Sequence, residues 1–206
     1  MQSVRVQTRT TKTVSAQFYT HKMLWIAARL HHHAGARDLE MYPYLYLSSQ
    51  ILCYFTFEAY LNFLGERLFP ETWVNEQEAF SKDPYRGTLG KFDFISERIG
   101  FSVEKSKRPY QTMKTLHRLR KRVVHARTEK FVQQVSVKRT NMYPHFEIPY
   151  VSSKLEDLLT EANSRRAVED TREVIEAIHG SARSSFPQKR LEPRPLDNQM
   201  GQQSIY

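Results

Sequence analysis

The stretch Leu116-His117-Arg118-Leu119-Arg120-Lys121-Arg122-Val123-Val124-His125-Ala126 sets an apolar helical stripe inside a dense cationic face. Leu116, Leu119, Val123 and Ala126 recur at the spacing of one helix face, so the segment reads as an amphipathic helix packed on a core. Between Lys105 and Arg127 there is no acid, while Lys105, Lys107, Arg108, Lys114, Arg118, Arg120, Lys121, Arg122 and Arg127 are cationic. A helix that needed only solubility would mix Glu with these residues and gain i,i+4 pairs. A surface of one sign attracts phosphate instead. His125, turned away from the Leu116/Leu119/Val123 stripe, adds a residue type that moves protons near neutral pH.

Outward from this helix the same period recurs. A first helix is expected over Ala16 to Ala34, carried by Phe18, Met23, Trp25, Ile26 and Leu30 and ended by Gly35. Pro43 opens a second, longer helix that reaches Phe69 and is closed by Pro70. Glu71 to Ser81 contributes a short helix, Leu89 to Ile99 a third main helix stopped by Gly100, and Pro109 starts the basic one. After Arg127 the period changes to alternation in Val135-x-Val137 and Phe146-x-Ile148-x-Tyr150, which predicts a small β-hairpin over about 131–150. Ser152 or Ser153 then caps a last helix from Lys154 to about Ile178. Residues 1–15 are expected to form a loose arm or edge strand, 16–180 the folded domain, and 181–206, rich in Pro, Gln and Ser, a disordered tail. The expected fold class is all-α, an antiparallel helix bundle with a hairpin inserted before the last helix.

With 206 residues, one domain with a real core fits the chain. Its net charge of +9 favours a polyanionic partner, and residues 1–37 carry six cations and no acid. Such an acid-free start also suits a presequence, although Phe18 to Leu30 reads better as a core helix. The apolar run from Tyr42 to Phe69 is broken by Ser48, Ser49, Gln50, Glu58, Asn62, Glu66 and Arg67, so no membrane span is expected. The single cysteine, Cys53, cannot form an internal disulfide and lies among Leu52, Tyr54 and Phe55, which indicates a buried thiol and a reducing, cytoplasmic setting. His31-His32-His33 points in three directions on a helix, whereas helical metal ligands need i,i+3 or i,i+4 spacing, so no metal site and no cofactor are expected. No P-loop, dinucleotide fingerprint, zinc spacing or Gly-x-Ser-x-Gly occurs, which argues against the corresponding NTPase, dehydrogenase and hydrolase classes.

Two segments carry a resemblance. Leu119-Arg120-Lys121-Arg122-Val123-Val124-His125-Ala126 resembles the signature of HEPN domains, an arginine followed after four to six residues by a histidine. Phe57-Glu58-Ala59-Tyr60-Leu61-Asn62 is similar to the Phe-Glu-Ala-Tyr-Ile-Asn segment on the long helix of several bacterial HEPN families, and the order of elements over about 16–180 agrees, with Trp73 in a variable stretch between them. The resemblance implies a HEPN-type all-α bundle that dimerises so that the Arg/His motifs of two protomers meet. It implies a metal-independent endoribonuclease of the toxin or phage-defence kind, with RNA as substrate and an antitoxin or other neutralising protein as a partner.

Carried onto this sequence, Arg120 would neutralise the scissile phosphate and His125 would act as general base or acid. Arg118, Lys121, Arg122, Glu58 and Asn62 would support them, and Lys114 and Arg127 would bind RNA. Arg118 also satisfies the loose spacing, but Leu119 follows it, and Arg120 is favoured. Lys121 departs from the family, which has a polar uncharged or acidic residue there, because a lysine cannot accept a hydrogen bond to orient His125. That departure keeps an alternative open: a non-catalytic HEPN module that binds nucleic acid, a nucleotide or a protein. A structural adaptor with incidental charge is the third reading.

Overall fold

The computed structural model describes residues 14–38, 40–125, 153–196 and 201–205. The fold is all-α, built on α1 (Thr20–Gly35), α2 (Tyr42–Leu68), α5 (Gly87–Arg98), α6 (Tyr110–Val124) and α7 (Glu161–Ser185), with two single turns, α3 (Pro70–Trp73) and α4 (Glu76–Ala79), between α2 and α5. No helix of the described residues is long and apolar enough to cross a membrane. The hairpin expected over 131–150 lies outside the described residues, as does Arg127.

The spine is α2. Its apolar residues run all round the helix, so it must be covered from several sides. α1, α5, α6 and α7 supply that cover. Cys53, Tyr54, Phe57, Tyr60, Leu61 and Leu64 are fully buried on it. Each such Leu or Phe contributes about 1.5–3 kcal/mol by leaving water. α6 buries Met113, Leu116 and Leu119, and α7 buries Ala167, Val174, Ile175, Ile178 and Ala182, both at the i, i+3/i+4 recurrence of an amphipathic helix. The buried Asp170 carboxylate of α7 ties the start of α6 to it, although its Arg108 partner is half exposed. Arg108 donates to both carboxylate oxygens of Asp170, at 2.8 Å from Nε and 2.6 Å from Nη2, while Thr112 donates its hydroxyl to the same carboxylate.

Geometry demands glycine at several positions, Gly100 and Gly65 among them. Gly100 has φ +67° and ends α5 in a Schellman turn, with the Phe101 N–H donating to the Ser96 carbonyl at 2.8 Å. At Gly65 a Cβ would lie 2.1 Å from the Trp73 indole, so α2 and α3 approach as closely as they do only because that atom is missing.

The starts of α1 and α7 differ from the sequence reading. α1 begins at Thr20, because Val14–Phe18 is a strand, β1, paired antiparallel with β2 (Gly201–Ile205) in the register Val14 to Ile205. α7 begins at Glu161, capped by Thr160, whose hydroxyl accepts from the Asn163 N–H. Ser153 instead forms a reciprocal capping box with Glu156 on a short 3-10 turn, Glu156–Leu158.

The largest correction concerns the expected disordered tail over 181–206, of which 197–200 and 206 lie outside the described residues. α7 continues to Ser185, and the chain beyond it lies back on the bundle. Leu191 and Leu196 are buried in the core, and Phe186 packs edge-on against Phe69. Polar anchors complete the strap. Lys22, 2% exposed, pairs with Glu192 at 2.5 Å. His179 Nε2–H donates to the Glu192 carbonyl at 2.6 Å, which leaves Nδ1 to accept the Tyr60 hydroxyl at 2.8 Å. His21 Nε2–H donates to the Pro195 carbonyl at 3.2 Å. Two isolated leucines in a Pro-rich segment carry no period, so the sequence offered no apolar pattern to read there.

Candidate functional site

The side chains that form a site converge where α2, α5 and α6 meet. Tyr54, Glu58, Glu76, Gln77, Phe80, Gly87, Thr88, Lys91, His117 and Arg120 line a cleft of about 290 Å³. Helical spacing explains the convergence. Tyr54 and Glu58 are one turn apart on α2, Thr88 and Lys91 one turn apart on α5, and His117 and Arg120 one turn apart on α6.

At one end of the cleft, Tyr54 and His117 are bonded, hydroxyl to Nδ1, at 2.7 Å. The Tyr54 phenol is buried and pushed up to about 12, so it stays protonated throughout the neutral range. His117 is held below its ordinary value, first by burial and then by the Lys121 and Arg120 charges, with Glu58 opposing them. It is therefore neutral at pH 7, with one ring nitrogen fixed by Tyr54. Arg120 completes this end. Its Nε is buried and has no acceptor among the described residues. An unpaired buried N–H costs about 1–3 kcal/mol, which an incoming oxyanion would recover.

The middle and far end are already partnered. Thr88 donates to Glu58 at 2.6 Å. Lys91, itself buried, donates to Asn62 at 2.9 Å and forms an ion pair with Glu76, and its ammonium lies 5.8 Å from the Phe80 ring. Glu58 and Asn62 are thus tied to α5, through Thr88 and Lys91. The sequence reading had allowed either of them to orient Arg120 or His125.

The other sequence-derived residues are placed as follows. Arg118, Lys121 and His125 are exposed, and Lys114 and Arg122 are half-buried. α6 ends at Val124, and His125 is its C-cap, with its N–H donating to the Lys121 carbonyl at 3.0 Å. The structure brings Arg120 and Glu58 into one cleft and leaves His125 outside it. His117 is the residue that sequence reasoning passed over. The available signal was its i,i+3 spacing to Arg120, which puts the two on one face, whereas His125 is about 140° around an ideal helix from Arg120.

The histidine triplet shows no convergence, since His32 bonds Ser164 at 3.0 Å while His33 is exposed. Among the described residues no group of three or more His, Cys, Asp or Glu has metal-site geometry. Burial pushes the Cys53 thiol up to about 12, so it is an inert core group.

Comparison with protein families, curated proteins and solved structures finds no match to this chain.

Proposed function

We propose that the protein is a metal-independent endoribonuclease that works as a homodimer on cellular RNA. The observation that carries the reading is the buried Nε of Arg120, which has no partner among the described residues, at the edge of an exposed cationic helix capped by His125. His125 follows Arg120 by five positions, about 7.5 Å of helix rise on faces about 140° apart. Within one protomer the two diverge. Across a two-fold axis, His125 of one α6 faces the Arg120 cleft of the other, and the divergence becomes an advantage.

The chemistry asked of these residues is proton transfer and charge neutralisation. His125 takes the proton of a ribose 2′-hydroxyl, and the 2′-oxygen attacks the adjacent phosphorus. The bond to the 5′-oxygen breaks, and that oxygen receives a proton as it leaves. The products are a 2′,3′-cyclic phosphate and a 5′-hydroxyl. Arg120 stabilises the charge that builds on the phosphorane, with Arg118, Lys121 and Arg122 holding the flanking backbone. A toxin of this kind needs a neutralising protein partner in its own cell. Lys121 favours the second reading, a module that binds nucleic acid, a nucleotide or a protein without cutting, since it leaves His125 without a neighbouring acceptor to orient it.

Cleavage of an end-labelled RNA separates the two. His125→Ala should abolish cleavage and leave binding nearly intact, because a neutral imidazole adds little to counterion release. Arg120→Ala should weaken both, chelators should change neither, and light scattering should give a dimer mass. RNA that is bound at low salt but stays uncut, with or without divalent ions, would establish the binding module instead.

A further inference from the structure

We propose that the cleft where the C-terminal strap meets the end of α7 binds a small amphipathic anion, a carboxylate or phosphate head on an apolar body. The site stands apart from the ribonuclease reading, since none of its residues lines the cleft at Arg120.

This second cleft has a volume of about 500 Å³, within the usual range of small-molecule sites. Arg183 on α7 and Arg190 on the strap are its only charged lining among the described residues, and neither guanidinium is paired there with a carboxylate. Phe186, Pro187 and Leu191 supply the apolar wall. Two planar forks, one from each segment, can share the oxygens of a single carboxylate or phosphate head while an apolar body lies on that wall. The end of a helix ordinarily repels an anion through its free carbonyls. Here the Ala182 carbonyl accepts the Phe186 N–H at 2.9 Å and the Gly180 carbonyl accepts the Ser184 hydroxyl at 3.1 Å, which weakens that repulsion.

Two residues of the lining contradict their own backbone. Gly180 lies inside α7, where glycine is the poorest helix former after proline. No packing demands it, because a Cβ at that position would meet nothing within 4 Å among the described residues. Arg190 has φ +46° and ψ 49°, the left-handed conformation that glycine adopts without strain and a side chain does not. Each position thus holds the residue type that would suit the other. Residues kept against local preference mark sites where the gain lies outside the fold. Both of these line one cleft: Gly180 leaves its space open, and Arg190 brings a second cation to it.

The test titrates the full chain by calorimetry with octanoate, octyl phosphate, octanol and inorganic phosphate, the amphiphiles kept below micelle formation. Octanoate or octyl phosphate should bind at least tenfold more tightly than octanol and inorganic phosphate, and the tighter of the two identifies the head group. Arg190→Gly and Gly180→Leu return each position to its local preference. Both should melt at or above the wild-type temperature while losing at least fivefold in affinity, a loss that misfolding would not explain. Arg37→Gln, at an exposed arginine outside the cleft, should bind as wild type does. His179 reports the location. It lines an adjoining cavity with Gly180 and Arg183, and it is held below its ordinary pKa first by burial and further by the Arg183 charge. A bound anion offsets that charge, so the His179 midpoint in a proton NMR titration, assigned with His179→Gln, should rise. Octanol binding as tightly as octanoate would leave only an apolar surface, and inorganic phosphate binding as tightly as octyl phosphate only a charged one; either overturns the proposal. Unchanged affinity in Arg190→Gly or Gly180→Leu, an equal loss in Arg37→Gln, or an unmoved His179 midpoint also overturns it. So does a lowered melting temperature in both variants, because neither residue would then be held against its backbone.

Discussion

Acid should release the C-terminal strap through His21. The ring is buried beside Lys22, with His179 and Glu192 close by, and burial and the Lys22 charge lower its pKa from 6.5 to about 4. The folded state therefore holds His21 neutral while the unfolded chain takes up a proton below about pH 6.5. Stability from this group is complete above that value and is lost as pH falls towards the folded pKa. A shift of this size corresponds to about 3 kcal/mol in all. Between pH 7 and pH 5, above most carboxylate titration, the loss from His21 alone is about 2 kcal/mol. His179 is shifted in the same direction, chiefly by burial, and adds to the loss. For a chain of this length the His21 share is a fall in Tm of roughly 4–8 °C. Urea unfolding at pH 7 and pH 5 measures it directly. His21→Gln, whose amide can still donate to the Pro195 carbonyl, should unfold with a pH dependence smaller by about 2 kcal/mol. If wild type and His21→Gln lose the same stability over that interval, the ring is not held neutral by its surroundings and the reasoning fails.

Truncation after Ser185 removes Leu191 and Leu196 from the core and should cost about 3–6 kcal/mol, each leucine counting about 1.5–3; a melting temperature equal to that of the full chain would show that the strap is not part of the folded unit. In the full chain, Glu192→Gln leaves the buried Lys22 ammonium without its carboxylate, and the resulting loss should be partly recovered by adding Lys22→Met. Gly65→Ala should lower stability by 1–3 kcal/mol (about the cost of overpacking), despite alanine's better helix propensity, since its Cβ meets the Trp73 ring at 2.1 Å. An unchanged or raised Tm by circular dichroism would mean that the indole is free to move aside.

The helical skeleton was legible because apolar period and punctuation agree. Pro43 and Pro70 bracket α2, Gly100 stops α5, and the stripe Leu116, Leu119 and Val123 marks the buried side of α6. What was not legible depends on partners remote in sequence. Residues 191–196 are held by single leucines and by His21, Lys22 and His179, none of which signals a strap by itself. β1 is a strand only because Gly201–Ile205 lies beside it. In the cleft, Arg120 and Glu58 were singled out from their segments, but their relation to Tyr54, Thr88 and Lys91 arises from the crossing of three helices. His117 was hidden for a different reason. A histidine inside a basic run reads as one more surface charge until Tyr54 is seen to hold it.

The pairing of Val14–Phe18 with Gly201–Ile205 makes the chain close on itself. Residues 19–200 lie between the two strands, so among the described residues the ladder is the most non-local contact and the slowest to be found by search. During synthesis the first strand leaves the ribosome long before its partner exists, and its backbone donors and acceptors stay with water until then. His21 and Lys22, on the next element, wait for Pro195 and Glu192 in the same way. The bundle can therefore assemble as its helices emerge, but it is sealed only when residues 191–205 have been made. A ribosome that stalls within α7 would hold a protein that has its cleft and lacks its fastening.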